Sequence, residues 1–252
     1  MSAALSDSMR RPLQDRLIVA LDRPDLGAAL EDVERIGDAV KWYKVGLQLF
    51  CAAGRPAVAA LAERGKNVFL DLKLHDIPAT VEKAVRALDG LPVGLLTVHA
   101  SGGPQMLRAA AEAARGIGSK PRVLGVTMLT SLDGAELPAL WNPSTGLEEK
   151  VLGLANACAE AGVDGVVASP REIVPLRLEH EPPFLIVTPG IRGPADSSQD
   201  QKRTLSLAEA FSRGADYIVV GRPILESKDP RAVVAAYEAS LAPTVSIERT
   251  GS

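Results

Sequence analysis

The chain has 252 residues, 46% hydrophobic and 23% charged, with 28 lysines and arginines against 31 aspartates and glutamates, a net of −3. That apolar fraction excludes a wholly disordered chain, and the length excludes a small scaffold dependent on disulfides. The charge balance lacks the basic surplus that a nucleic-acid partner demands. No run approaches the ~18 consecutive apolar residues of a membrane-spanning helix. The polar start Met1–Arg11 has no apolar stretch of the kind found in secretory signals. The expectation is a cytoplasmic protein with no membrane partner. Cys51 and Cys158 lie in Ala-rich, helix-like surroundings and read as two buried free thiols of a reducing compartment. No Cys/His spacing suits zinc.

Along the chain, short runs rich in β-branched residues alternate with stretches of helical period. The strand candidate Arg16–Asp22 precedes a helix at Leu26–Asp38, and Trp42–Val45 precedes one at Pro56–Arg64. Asn67–Lys73 is followed by Ile77–Leu88, Gly94–His99 by Gln105–Arg115, and Arg122–Thr127 by Leu147–Ala161. Gly165–Ser169 leads to Arg171–Glu179, Phe184–Thr188 to Ser206–Arg213, and Tyr217–Gly221 to Pro230–Ser240. Asp229 before Pro230 and Ser169 before Pro170 have the form of helix starts. Alternating strands and helices imply parallel strands joined by right-handed crossovers. Continuous apolar runs suit strands covered on both faces. A single (β/α)8 TIM barrel, a fold of about 250 residues, is predicted over residues 15–242, with tails at 1–14 and 243–252. A doubly wound open sheet is the rival, but the first strand–helix junction, ALDRPD, lacks its Gly-rich fingerprint.

A barrel carries its active site at the C-terminal strand ends. Asp22 ends the first strand, Lys44 lies on the second, and the third ends Asp71-Leu72-Lys73, followed by His75 and Asp76. Residues two apart on a strand share a face, roughly 7 Å apart along the backbone, so Asp71 and Lys73 point one way and Leu72 the other, into the helix layer. Asp22, Lys44, Asp71 and Lys73 are expected to form an alternating acid–base row of four buried charges. The flanking carboxylates favour the charged ammonium forms. A positioned ammonium can stabilise a developing carbanion and then protonate it. The alternative is a salt-bridge network without chemistry, although buried ion pairs are weak evidence for a purely stabilising role. After the seventh and eighth strands, Thr188-Pro189-Gly190-Ile191-Arg192 and Gly221-Arg222-Pro223 each combine a glycine with an arginine, as a phosphate site would. The polar stretch 193–203 between them suits a lid bearing Gln201. His75 and His99 are as easily structural as catalytic, and His180, in LEHEPP, reads as solvent-facing.

The stretch Phe69–Val81 (FLDLKLHDIPATV) resembles the signature of the orotidine 5′-phosphate decarboxylase family, whose core is Asp-x-Lys-x-x-Asp, here Asp71, Lys73 and Asp76. The likeness extends in register through Ala20–Asp22, Tyr43–Gly46, Leu129–Ser131, Thr188–Arg192 and Val220–Pro223. It implies decarboxylation of orotidine 5′-phosphate to uridine 5′-phosphate in pyrimidine synthesis, with no metal and no organic cofactor. Lys73 would protonate the C6 carbanion, and Asp71 would face the departing carboxylate and hold Lys73. Asp76 and Thr80 would come from the partner subunit of a homodimer. Lys44 and Asp22 would complete the row and contact the ribose, and Thr130 and Ser131 the pyrimidine. Pro189, Arg192, Gln201, Gly221 and Arg222 would line the phosphate end, with Gln199 the alternative to Gln201. Position 79 is Ala where relatives often carry Asn. Two rivals share parts of the pattern. Magnesium-dependent sugar-phosphate barrels carry an acid at the end of strand 2, where this chain has Lys44. A non-catalytic phospholigand-binding barrel would be expected to break the row, and every member is present.

Overall fold

The computed structural model describes residues 11–129, 146–191 and 205–241. The predicted site residues Thr130, Ser131, Arg192 and Gln201 lie outside them, as do the two tails apart from 11–14. Strands β1 (Leu17–Ala20), β2 (Trp42–Gly46), β3 (Asn67–Leu74) and β4 (Val93–His99) are followed by β5 (Arg122–Val126), β6 (Gly165–Val167), β7 (Leu185–Pro189) and β8 (Tyr217–Val220). Each pairs in parallel with the next, and β1 pairs with β8, so the sheet closes into an eight-stranded barrel. The open-sheet rival is thereby excluded. Helices α1 (Leu26–Ile36), α2 (Leu47–Ala53), α3 (Arg55–Glu63), α4 (Pro78–Arg86) and α5 (Gly103–Arg115) surround the first half. Around the second half stand α6 (Leu147–Glu160), α7 (Ile173–Glu179), α8 (Leu207–Ser212), α9 (Arg222–Leu225) and α10 (Pro230–Ala239).

The period-2 geometry of a strand sorts the side chains into two cores. Ile18 and Ala20 of β1, Phe69 of β3, Leu95 of β4, Leu124 of β5, Leu185 and Val187 of β7, and Tyr217 and Val219 of β8 fill the barrel interior. Their neighbours, such as Leu17, Val19, Leu70, Leu96 and Ile186, face outward into the shell packed by the helices. Both faces are therefore dry, which is why the strands read as unbroken apolar runs rather than as alternation.

The element ends differ from the sequence reading in instructive places. Asp22, Thr127, Ser169 and Gly221 fall just past their strands, because pairing stops where the chain turns outward toward the helices. Two short helices follow strands directly, α2 after β2 and α9 after β8, in stretches too brief to show a helical period. Cys51 lies on α2 and is exposed, contrary to expectation, while Cys158 is buried and its thiol is pushed up to about 12 by desolvation. Asp229 caps α10 through the Ala232 N–H, as predicted. Ser169 caps nothing: α7 begins only at Ile173, and the Ser169 N–H donates to the Glu172 carboxylate. His180 is half-buried and stacks on Phe184 at 4.6 Å between ring centroids, rather than standing in solvent.

The barrel wall tolerates no added bulk where strands approach closely. A Cβ on Gly165 would lie 2.3 Å from the Leu185 carbonyl oxygen and 2.6 Å from its Cβ, whereas one on Gly153, on the open face of α6, would meet nothing within 4 Å. Gly165→Ala is expected to cost about 2–3 kcal/mol in urea unfolding by overpacking. Gly153→Ala is expected to be neutral or to add up to about 1 kcal/mol through helix propensity.

Candidate active site

The strand register places the charged residues side by side. Ala20 pairs with Lys44, and Gly46 with Asp71, so the C-terminal ends of β1, β2 and β3 meet at one sector of the barrel mouth. The Lys44 Nζ lies 2.9 Å from Asp22 Oδ1 and 3.6 Å from Asp71 Oδ2. The Lys73 Nζ lies 2.8 Å from each Asp71 oxygen. The alternating order Asp22–Lys44–Asp71–Lys73 is as expected, but the four are not uniformly buried. Side-chain exposure rises from 11% for Asp71 and 12% for Lys44 to 28% for Lys73 and 56% for Asp22. The row climbs from the closed interior to the rim because Asp22 lies beyond the β1 ladder while Asp71 is still within β3.

Asp71 and Lys73 reach this site from a bent strand. The β3–β4 register runs Leu70 opposite Leu96 and then Leu74 opposite Val98, so Asp71, Leu72 and Lys73 face Thr97 alone. Lys73 takes φ 50°, the left-handed region that non-glycine residues seldom adopt. Such conformations cost of order 1–3 kcal/mol and persist where their surroundings enforce them. Here the fully buried Thr97 does so: its Oγ1 accepts the Lys73 backbone N–H at 2.9 Å and donates to Asp71 Oδ1 at 2.9 Å. Leu72 packs outward against the helix-side core, as predicted. Thr97 was missed from sequence, although a hydroxyl in the apolar run GLLTVH, two residues after the inward-facing Leu95, was a usable signal.

Gly46 makes room for the row. A Cβ there would lie 2.7 Å from the Lys44 Nζ and 3.2 Å from Asp22 Oδ1. His99 and His75 sit beside Lys73 with ring centroids 5.2 Å apart. The His99 imidazole is held below the usual histidine range, first by burial and then by His75 and Lys73.

Asp76 and Thr80 do not join the row. Asp76 is exposed, makes no ion pair among the described residues, and accepts the Ile77 N–H at 2.6 Å. Thr80 is exposed on α4. Beside them stand exposed apolar side chains, Ile77 (67%) and Leu47 (53%), at the same rim. Across the mouth, Pro189 closes β7 and Gly190 follows at φ 76°, while Gly221 and the exposed Arg222 follow β8. A Cβ on Gly221 would be in ordinary contact with β1, its nearest atom being Ala20 Cβ at 3.6 Å. Among the described residues no three His, Cys, Asp or Glu side chains converge as a metal would require. The space between the carboxylates of Asp22 and Asp71 is already taken by the Lys44 ammonium.

A closed parallel barrel with a charged cluster at its C-terminal mouth has the architecture of the β/α-barrel enzymes. A profile of the "Orotidine 5'-phosphate decarboxylase / HUMPS family" matches residues 15–237. Orotidine 5'-phosphate decarboxylase of Moorella thermoacetica is 46% identical, over 94% of this chain and 96% of its own length. That of Rhodopseudomonas palustris is 47% identical over 92% and 95%. The crystal structure of orotidine 5'-phosphate decarboxylase from Lactobacillus acidophilus superposes with a TM-score of 0.79 at 37% identity, covering 90% of this chain and 100% of that one. The chain belongs to the orotidine 5′-phosphate decarboxylase family.

Gly46→Ala tests how tightly the row is accommodated. The variant is expected to fold, since the new carbon meets only side-chain ends. It should drive the Lys44 ammonium off Asp22, as read by thermal melting and a crystal structure of the variant.

Proposed function

We propose that this chain is the decarboxylase of its family, converting orotidine 5′-phosphate to uridine 5′-phosphate and carbon dioxide in pyrimidine synthesis. The observation that carries the reading is Lys44 at the end of β2, bonded to Asp22 and facing Asp71. A cation there completes an acid–base row and opposes a divalent metal, so the decarboxylase branch of the family is favoured over a magnesium-dependent one. No metal or organic cofactor is required.

The chemistry follows from charge placement. Breaking the C6–carboxylate bond leaves an electron pair in the plane of the ring, with no adjacent sink. The protein must supply the stabilising field, preorganised and shielded from water. Lys73 provides it as an ammonium held by both oxygens of Asp71. As carbon dioxide departs, the Lys73 N–H proton passes to C6, and the neutral amine regains a proton from solvent when product leaves. Asp71 faces the departing carboxylate and fixes Lys73. Lys44 holds Asp71 from the other side and, with Asp22, contacts the ribose. Thr130 and Ser131 recognise the pyrimidine, while Pro189, Arg192, Gln201, Gly221 and Arg222 surround the phosphate. Binding energy from that remote phosphate offsets the cost of ordering the ring at the reacting centre.

The active form is a homodimer in which Asp76 and Thr80 complete the partner's site. Supporting this, both stand exposed at the rim, outside the row of their own subunit, beside exposed Ile77 and Leu47. The catalytic unit is the barrel of residues 15–242, with the tails 1–14 and 243–252 outside it. The enzyme acts in the cytoplasm, with no nucleic-acid or membrane partner. Among the described residues no helix is long and apolar enough to cross a membrane.

Loss of orotidine 5′-phosphate absorbance should proceed at the same rate with and without EDTA. A rate abolished by chelation would assign the chain to the magnesium-dependent branch. Nucleotide binding without turnover would make it a binding module. Lys73→Ala should lower kcat by at least the ~10²–10⁴-fold of a lost proton donor, without unfolding the barrel. Mixed subunits of inactive Asp71→Ala and Asp76→Ala should regain activity by forming one intact shared site. Subunit exchange without recovery would refute the shared site.

A further inference from the structure

We infer that Thr97 is a positioning residue for the catalytic pair, holding the carboxylate of Asp71 and the backbone of Lys73 through one hydroxyl. The geometry leaves that hydroxyl no other use. Its single proton goes to Asp71 Oδ1 and its oxygen takes the Lys73 N–H, both at 2.9 Å. It is fully buried, so bulk solvent does not compete for either bond. It is also the one β4 residue opposite the three-residue stretch Asp71–Lys73, where the ladder has no backbone partner to offer the Lys73 N–H.

Two consequences follow from this double contact. The hydrogen bond to Oδ1 fixes the rotation of a carboxylate that accepts from Lys73 on both oxygens and has the Lys44 ammonium 3.6 Å from Oδ2. The bond from the Lys73 N–H holds the lysine at φ 50°, and with it the direction from which its ammonium leaves the strand. A side chain of the same shape without the hydroxyl would leave a buried N–H unpaired and free the carboxylate to turn. Thr97 does not reach the phosphate or ribose end, so its loss should act on the chemical step more than on substrate capture.

The kinetic consequence rests on the decarboxylase reading, and the structural one does not. Thr97→Val is expected to lower kcat by about 10–100-fold while KM for orotidine 5′-phosphate stays within roughly threefold. Thr97→Ser, which keeps the hydroxyl, should recover most of the lost rate. Thr97→Ala serves as a second hydroxyl-free variant should the valine fail to fold, and melting temperatures establish folding for each. A crystal structure of the hydroxyl-free variant is expected to show Asp71 rotated and Lys73 relaxed out of the left-handed region. Unchanged kcat in a folded hydroxyl-free variant, a serine variant as slow as the valine, or an unmoved Asp71–Lys73 pair would each overturn the inference. If the wild-type protein does not turn over orotidine 5′-phosphate, the decarboxylase reading fails, and the crystallographic comparison still decides the role of Thr97.

Discussion

The structure turns on one buried carboxylate. An ionised Asp71 inside the barrel is tenable only because Lys73, Lys44 and Thr97 surround it. Meeting that requirement explains several otherwise separate features. The β3 bulge brings Lys73 back onto Asp71, Thr97 puts a hydroxyl into an otherwise apolar strand, and Gly46, with no side chain, leaves room for the Lys44 ammonium beside Asp22. A carboxylate and an ammonium held this way keep a fixed orientation, so their dipole toward the mouth is preorganised.

The two ends of the barrel use charge differently. At the N-terminal end, Arg177 is spent entirely on internal acceptors: the carbonyls of Gly214, His180 and Phe184, and Asp216 Oδ2 at 2.6 Å. Asp216 in turn receives the Ile186 N–H, and Arg16 bonds the carbonyls of Ala215 and Asp216 while lying 3.6 Å from the centre of the Phe211 ring. Those charges close the bottom of the fold and leave nothing for a ligand. At the C-terminal end the row grades into solvent, with Lys73 and Asp22 open to approach. The same fold thus separates stability from chemistry along its axis, as is general for β/α barrels.

Much of this is legible in the sequence. The eight apolar runs had to be strands covered on both faces, and their alternation with helical segments left few ways to connect them. The row could be listed from strand-end residues alone, since the barrel brings successive strand ends together in order. What went astray was local. Cys51 read as buried because its Ala-rich neighbours suggested packing, but α2 turns it outward. Ser169 had the form of a cap, yet the chain needed another turn before α7 could start. Residues 47–53 and 222–225 were too short to declare a period.

By itself the sequence determined the barrel, the membership of the charged row and the branch of chemistry that Lys44 favours. These depend on residue identity and on which strands are neighbours, and parallel topology settles the latter. Only the tertiary structure decided how deeply each charge lies, that β3 bends at Asp71–Lys73, that Thr97 serves both, and that Asp76 stands exposed and outside the row. Those properties depend on register, backbone dihedrals and the atoms packed across the barrel, and no spacing within a single strand encodes them.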